Sequence, residues 1–195
     1  MSAIFLRPTH MHDLPAIKGV ITEARQALKD SGNPQWQDGQ PTTATIINDI
    51  THHLSWALIV DGQLAGMASL QPGPEESFEN ISQGKWANST DPYLVIHRLA
   101  IGDQYRGHQL SSFLLSNLVT VGQMKGISNF RLGTHQKNTA MQTAAKKFGF
   151  KYRGRVKVHD DCDPNRYAFE LNLKNPHKFP MKTGVKNDFM GPLVR

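Results

Sequence analysis

The stretch YLVIHRLAIGDQYRGHQLSSFLLSNL, residues Tyr93 to Leu118, changes its periodicity at a glycine. The run from Tyr93 to Ile101 is β-branched and aliphatic, which predicts a strand. Beyond Gly107 the apolar residues recur at helical spacing and predict a helix that ends near Gly126. The turn from Gln104 to Gln109 therefore lies directly before a helix, where the first backbone N–H groups have no intrahelical partner.

Such a turn has the features of an anion-binding loop. Unpaired N–H donors and the partial positive charge of a helix N-terminus attract an anion. Gly107 lets a phosphate approach the backbone closely, and Arg106 is able to add a charge-assisted contact. The glycines of a dinucleotide fingerprint and the Gly-Lys-Ser/Thr of a Walker loop are both missing. On the motif alone, a plain capping turn remains the alternative.

The segments on either side of this stretch predict further strands and helices. Before it, the sequence predicts a strand at Phe5 to Pro8, a helix ending near Gly32, a shorter helix around Ile46 to Ile50, and two strands between Trp56 and Leu70 around an Asp61-Gly62 turn. After it, the sequence predicts a strand at Asn129 to His135, a helix at Asn138 to Phe148, and strands at Tyr152 to Val158 and Tyr167 to Leu173. The connection from Pro72 to Asp91 is long, and such connections are usually functional or disordered.

The composition predicts one globular domain without disulfides. The 195 residues are 38% hydrophobic, enough for the core of a single domain. One cysteine, Cys162, excludes an internal disulfide and argues against a structural zinc site. No apolar run is long enough to cross a bilayer, and the first residues are too polar for a signal peptide. We therefore expect a soluble, cytoplasmic protein that does not act at a membrane.

The charge favours an anionic partner but does not identify it. The formal net charge is +6, which suits nucleic acid, a membrane surface or a phosphorylated small molecule. The excess is spread along the chain, and no block of five or more like charges is present. The charge distribution therefore argues against nucleic acid as the partner.

Two linked motifs resemble one enzyme family. Gln104 to Gln109 is similar to the Q/R-x-x-G-x-G/A motif of the GNAT superfamily, the acyl-CoA-dependent N-acetyltransferases. The segment Arg131 to Gly154 is similar to the family's strand, Asn-led helix and Gly-Phe element, with Asn138 in register. The sequence resembles small bacterial members of the family, and the resemblance runs from about Phe5 to Leu173. It implies an α/β (α+β) fold with a mixed, mostly antiparallel sheet flanked by helices. We assign residues 1–174 to this domain and residues 175–195 to a basic C-terminal tail.

The resemblance also implies a cosubstrate, acetyl-CoA, and its binding residues. Family members bind the pyrophosphate on the amides of the motif loop, here Arg106, Gly107, His108, Gln109, Leu110 and Ser111. The pantetheine arm pairs with the preceding strand, which implies backbone contacts from Leu99 and Ile101, and Asn138 lies near that arm. Gln109 departs from the family's small residue. The tyrosine that protonates the leaving thiolate in many members corresponds here to Ala145, so the usual general acid is missing.

Histidines are the candidates for a general base. His97 lies two residues before Leu99, on the same strand face if the strand alternates regularly, and an imidazole titrates in the useful range. The alternative is a hydrogen-bonded or buried strand residue. His135 follows the strand that ends near the cofactor, but a role in capping or bracing the next loop is the more common one.

Two loops are candidates for the acceptor site. Trp36 and Asp38 lie in the loop between the first two helices, and Trp86 lies in the long connection with three acidic residues, Glu75, Glu76 and Glu79. An acidic rim suits a cationic amine. The alternative is that the carboxylates are solvated and the indoles are packed as hydrophobic anchors.

The other polar clusters do not predict a metal. Asp161, Asp163 and Asn165 have the spacing that opens an EF-hand loop, but Arg166 stands where glycine is required, which favours a hairpin turn. The pairs His10/His12 and His52-His53 have no other metal-type ligands nearby, and Cys162 has no catalytic partner. We expect no metal.

The resemblance predicts transfer of an acetyl group to a primary amine of a small molecule or peptide. An alternative is a catalytically weak CoA-binding sensor or partner-binding module of the same fold, and a third is nucleic-acid binding through the basic surface. A homodimer is possible.

Overall fold

The computed structural model describes residues 3 to 173, which form one sheet flanked by helices. The strands are β1 (Ile4–Pro8), β2 (Ser55–Val60), β3 (Gln63–Pro72), β4 (Tyr93–Ile101), β5 (Asn129–Thr134), β6 (Lys151–Lys157) and β7 (Asn165–Asn172). The helices are α1 (Leu14–Asp30), α2 (Thr43–Thr51), α3 (Glu76–Glu79), α4 (Leu110–Met124) and α5 (Thr139–Phe148). The tail assigned to residues 175–195 lies outside the described residues. Within residues 3 to 173, no helix combines the length and apolarity needed to span a bilayer.

The sheet is mixed and mostly antiparallel, as the resemblance implied. Its order is β1-β2-β3-β4-β5-β7-β6, and only the pair β4 and β5 is parallel. The predicted hairpin turn is confirmed, because Val60 pairs with Gln63 and leaves two residues in the turn. Asp61 and Gly62 both have positive φ, +48° and +81°, as a type I′ turn requires.

Helices cover both faces of the sheet. Helices α4 and α5 pack on one face through a large apolar cluster that includes Leu114, Leu118 and Phe150. Helices α1 and α2 cover the opposite face through Ile17, Ile21, Ile46 and others. A third cluster on that opposite face is built from the long connection, with Phe78 and Trp86 packed against β4 residues.

The long connection from Gly73 to Pro92 is ordered by three contacts. The Tyr93 hydroxyl accepts a hydrogen bond from the Glu75 N–H and donates to Glu79 at 2.6 Å. Ser82 forms an isolated β-bridge with Arg155, which ties the middle of the connection to the edge strand β6. These contacts hold the connection in one position against the sheet.

The two central strands separate where the sheet becomes parallel. β4 and β5 are paired only from Tyr93 to Val95, whereas β4 continues to pair with β3 as far as Ile101. Beyond Val95 the edge of β4 that faces β5 has no strand partner among residues 3 to 173. The resulting gap lies next to the N-terminus of α4.

Candidate active site

A cleft of about 490 Å³ opens where β4 and β5 separate. Most of the residues predicted to bind acetyl-CoA line it, namely Leu99, Ile101, Arg106, Gly107, Gln109, Leu110, Ser111 and Asn138. His108, predicted in the same set, is exposed and does not line the cleft. The cleft therefore brings together the strand, the turn and the Asn-led helix that are distant in sequence.

The N-terminus of α4 presents free donors at the mouth of this cleft. No side chain caps the helix, and Gly107 has φ +83° with open space around the position of a Cβ atom. Gln109 has φ +58°, a left-handed conformation that costs a residue other than glycine about 1 kcal/mol. A glycine at this position would avoid that cost.

Contacts with Asp103 and Ile101 already occupy part of the Arg106 guanidinium, so not all of its N–H groups are free to bind an anion. Its Nη2 atom lies 2.6 Å from Asp103 Oδ1, and its Nε donates to the Ile101 carbonyl at 3.3 Å. The side chain is 38% exposed, so this ion pair is weak in water. The backbone of the turn is therefore the firmer feature for binding a phosphate.

A β-bulge at Arg98 breaks the alternation of β4. Met67 pairs with Ala100 and Ser69 pairs with His97, so two residues of β4 stand opposite one residue of β3. Arg98 has φ +54° at this bulge. The prediction that His97 and Leu99 share a face is therefore wrong, because Leu99 packs with the α4 cluster while the His97 ring contacts Phe78 on the other face.

His97 forms a close pair with Glu75. Its Nε2 atom lies 2.7 Å from Glu75 Oε2, and the two side chains are 19% and 26% exposed. The ring also packs edge-on against Phe78, with the ring centroids 5.8 Å apart. A carboxylate at Nε2 holds the proton on that nitrogen and leaves Nδ1 as the basic atom of a neutral imidazole.

The His97–Glu75 pair lines a second cleft of about 320 Å³. Titratable and charged residues of its lining are Glu75, His97, Arg98, His159, Asp160 and Arg166. Arg166 is paired with Asp160, and each side chain is only 4% exposed. Both clefts are lined by Gln35, Trp36, Arg98 and Gly133, which we call the junction.

Arg98 reaches the junction as one half of a buried ion pair. Its Nε and Nη2 atoms bind the two oxygens of Asp49 at 2.6 and 2.8 Å, a bidentate arrangement. Asp49, on α2, is 1% exposed and also accepts from Gln71 at 3.3 Å. The Asp49 carboxylate therefore holds the bulge that shapes both clefts.

Residues 21–150 match the model of the acetyltransferase (GNAT) family. The chain belongs to this family. The structure is similar to a GNAT-family acetyltransferase from Streptococcus agalactiae, with 34% identity and a TM-score of 0.81 over 88% of this chain and 96% of that one. A comparison with curated proteins gave no match.

Two more distant GNAT structures share the fold. One is an acetyltransferase from Listeria monocytogenes, with 18% identity, a TM-score of 0.67, and coverage of 87% of this chain and 95% of that one. The other is the PaiA N-acetyltransferase from Thermoplasma acidophilum in complex with coenzyme A, with 18% identity and a TM-score of 0.62 over 88% and 99% of the chains. At these identities the likeness supports the fold alone.

Ala145 is the residue that the resemblance aligns with the general acid of many family members. Ala145 is fully buried in the apolar cluster beneath α5. The α5 residues that do line the cofactor cleft are Thr139, Ala140, Met141 and Ala144. None of these four residues has a side chain that titrates near neutrality.

Asn138 and a residue missed by sequence reasoning, Gln35, connect the two sides of the GNAT cleft. Asn138 caps α5 by accepting from the Met141 N–H at 3.1 Å, and its Nδ2 donates to Gln35 Oε1 at 3.3 Å. Gln35 is 9% exposed. No local signal marks it, because glutamine in a loop rich in turn formers is expected to be solvated.

Of the predicted acceptor residues, Trp36 lines both clefts and Glu75 lines the second. Asp38 accepts from the Gln40 N–H at 3.0 Å and lines neither cleft. Trp86 is 8% exposed, donates its Nε1–H to the Phe78 carbonyl at 2.8 Å and also lines neither cleft. Asp38 and Trp86 therefore have structural positions, which corrects their assignment to the acceptor site.

His135 braces the loop before α5. The Lys137 N–H donates to His135 Nδ1 at 3.1 Å, so Nε2 carries the proton and donates to Asp163 at 2.9 Å. This hydrogen bond is the main reason that the pKa of Asp163 falls to about 2. His135 is 1% exposed and lines neither cleft, which favours the bracing role.

The Asp163 carboxylate should make stability depend on acidic pH. Its pKa is lower in the folded protein than in the unfolded chain, so its contribution is complete above about pH 4 and is lost as the pH falls towards 2. We expect Asp163→Asn to lower the free energy of unfolding by about 1 kcal/mol at pH 7, because the side chain is partly exposed and an amide oxygen still accepts. Urea unfolding at several pH values measures this.

The matched control is Asp161→Asn, an exposed position in the same loop. Its stability curve should follow the wild type throughout. A difference between Asp163→Asn and the wild type that stays constant down to pH 2 would contradict the assignment to the ionised carboxylate.

We assign no chemical role to the clusters of possible metal ligands or to Cys162. In residues 3 to 173, no group of three or more His, Cys, Asp or Glu side chains is close enough to hold a metal ion. Cys162 is exposed, and residual desolvation and nearby carboxylates, Asp160 first, raise the pKa of its thiol. Asp160 accepts from the Cys162 and Asp163 N–H groups, as in the hairpin turn expected from the sequence.

Proposed function

We propose that this protein transfers the acetyl group of acetyl-CoA to a primary amine of a small molecule or peptide. The observation that carries the proposal is the uncapped N-terminus of α4 at the mouth of a cleft between two separating strands. A second cleft with an imidazole and a carboxylate meets the first at the junction. Two substrates are therefore able to meet at the junction.

The residues of the first cleft fit acetyl-CoA. The N–H groups from Gly107 to Ser111 face an anion-binding position, and the open space beside Gly107 admits a pyrophosphate. The unpaired edge of β4 after Val95 offers backbone groups at Leu99 and Ile101 to the amides of pantetheine. Asn138 borders the same cleft, so the predicted cofactor set is retained, with His108 contributing only its backbone.

Acetyl transfer needs a base that takes a proton from the amine, and this base must lie in the cleft that binds the amine. When bound, acetyl-CoA supplies a thioester whose carbonyl carbon bonds to the amine nitrogen while the carbon–sulfur bond breaks and the thiolate leaves. We assign His97 Nδ1 to take the proton that the amine loses, with Nε2–H held by Glu75. We assign the proton that the thiolate receives to solvent, because the α5 residues of the cleft carry no acidic side chain.

The second cleft favours a small or narrow polar amine. Its two arginines are already paired with Asp49 and Asp160, whereas Glu75 is paired, among residues 3 to 173, only with His97. A cationic amine entering the cleft meets this carboxylate before it loses its proton. Trp36 and Phe78 supply apolar surface beside it.

The test is release of free thiol from acetyl-CoA in the presence of an amine panel. The panel should contain polyamines, aminoglycosides, amino acids and peptides. Amine-dependent thiol release above the rate of hydrolysis supports the proposal. Tight binding of acetyl-CoA with no acceleration by any class would favour the alternative, a CoA-binding sensor, for which the missing acid at Ala145 is the supporting observation.

Replacement of His97 should affect the base without affecting the cofactor. We expect His97→Ala to lower kcat/KM by about 100-fold at neutral pH, with a smaller loss at high pH where the amine is already neutral. The affinity for acetyl-CoA should not change, because His97 lines only the second cleft. The control is His53→Ala, an exposed histidine after α2. A pH–rate profile of His97→Ala that overlays the wild type would remove His97 from the mechanism.

A further inference from the structure

Within residues 3 to 173, the side-chain amide of Gln35 accepts hydrogen bonds at its oxygen and donates none from its nitrogen. Its Oε1 accepts from the His135 N–H at 3.1 Å, from Asn138 Nδ2 at 3.3 Å and from the Thr134 hydroxyl at 3.4 Å. A backbone N–H only donates, so the contact with His135 establishes which end of the amide is the oxygen. Nε2 therefore points away from the β5–α5 loop.

The Nε2 group of Gln35 donates to no atom of residues 3 to 173, although the residue is nine-tenths buried. Nε2 is not among the fully buried unpaired atoms of these residues, so its N–H is accessible and is able to donate to an acceptor oxygen that arrives with a ligand. Gln35 lines both clefts. The donor thus belongs to the junction, where the two substrates meet.

The chemistry at the junction determines which oxygen this is. If acetyl-CoA occupies the first cleft and the amine occupies the second, the acetyl group lies between them, at the junction. We propose that Gln35 Nε2–H donates to the carbonyl oxygen of the acetyl thioester and stabilises the negative charge that develops there, which makes Gln35 a catalytic residue. This inference rests on the proposed function.

Preorganisation favours Gln35 as the donor. Three hydrogen bonds hold its amide in one orientation, so little reorganisation is needed when charge develops. Arg98 is committed to Asp49 through two of its nitrogens, and Gly133 has no side chain. The Trp36 ring is only partly buried and makes no polar side-chain contact within residues 3 to 173.

Infrared spectroscopy of bound acetyl-CoA labelled with ¹³C at the acetyl carbonyl tests the donor directly. A hydrogen bond to the thioester oxygen polarises the C=O bond, so its band should move to lower frequency in the wild-type complex. In Gln35→Glu the oxygen end is kept for His135 and Asn138, but the N–H donor is lost, and the band should return towards its position in free acetyl-CoA. Gln35→Met, which removes both ends, should give the same result in folded protein.

Kinetics provide a second readout. Gln35→Glu should lower kcat by about 100- to 1,000-fold at pH 8 with little change in the KM for acetyl-CoA, as for loss of one oxyanion donor. The deficit relative to the wild type should narrow as the pH falls, because a protonated carboxyl regains an O–H donor. Gln136→Glu places the same charge beside His135 on an exposed side chain that lines neither cleft, and should keep both the band and kcat.

The outcomes separate this inference from the function on which it rests. A band that shifts in the wild type and Gln136→Glu but not in Gln35→Glu or Gln35→Met supports it. A bound band that is identical in all four proteins would overturn the role of Gln35 and leave acetyl transfer intact. Failure of the wild type to bind acetyl-CoA would overturn both.

Discussion

Gly107→Glu is expected to reduce acetyl-CoA binding by at least about 100-fold in a protein that keeps its fold. The new carboxylate would stand beside the pyrophosphate position, and juxtaposed like charges cost several kcal/mol. Nothing lies within 4 Å of a Cβ atom at Gly107, so the fold has room for the side chain. The positive φ of +83° adds backbone strain of about 1 kcal/mol. Isothermal titration calorimetry measures the affinity.

The other end of the same helix offers a matched control for Gly107→Glu. Gly126 follows α4 with φ +77° and equally open space, so Gly126→Glu introduces the same strain and the same charge far from the cleft. Its affinity for acetyl-CoA should match the wild type. Equal affinity in folded Gly107→Glu would contradict the location of the pyrophosphate.

Asp49→Ala is expected to lower the free energy of unfolding by about 3 to 5 kcal/mol. The variant would leave the largely buried Arg98 guanidinium without its carboxylate, and breaking one half of a buried pair has this typical cost. Activity should fall as well, because Arg98 occupies the bulge that lines both clefts. Urea unfolding monitored by circular dichroism measures the loss.

Two further variants test the reason for that loss. Asp103→Ala breaks the exposed pair with Arg106 and should cost less than about 1 kcal/mol. The double variant Asp49→Ala, Arg98→Met removes both charges and should recover much of the stability lost in the single variant. A double variant as unstable as Asp49→Ala alone would show that the buried charge is not the cause.

The local sequence was sufficient to predict those parts of the fold that local interactions determine. The strand, turn and helix from Tyr93 to Met124 follow from a change of periodicity at Gly107, and the hairpin at Asp61-Gly62 follows from residues that tolerate positive φ. The family motifs supplied the cofactor residues because these too are a contiguous turn and a helix start. These parts of the site were therefore predictable.

Long-range interactions determine the parts that could not be predicted. The bulge at Arg98 depends on a buried carboxylate from α2, 49 residues earlier, and arginine has no preference for positive φ. The orientation of Gln35 depends on β5, about 100 residues later. Nothing in the sequence near either residue records such a partner.

The tryptophans illustrate the same limit. Trp36 and Trp86 both lie in loops rich in turn formers. The residues around them therefore do not show which of the two lines a binding site. Trp86 is stacked on Phe78 with Arg131 above its ring, at 4.2 Å from the centroid, so it anchors the long connection to β5. Trp36 instead borders both clefts. Only tertiary packing separates the two roles.

The central claim is that the backbone amides at the start of α4 bind the phosphates of CoA, and amide NMR during a titration with CoA tests it most directly. We expect large, saturable shifts of the N–H resonances of Gly107, His108, Gln109, Leu110 and Ser111 at one CoA per chain. The amides around Gly126, at the far end of the same helix, should serve as the internal reference. Saturable binding that leaves the five turn amides unchanged, or no binding at all, would contradict the account.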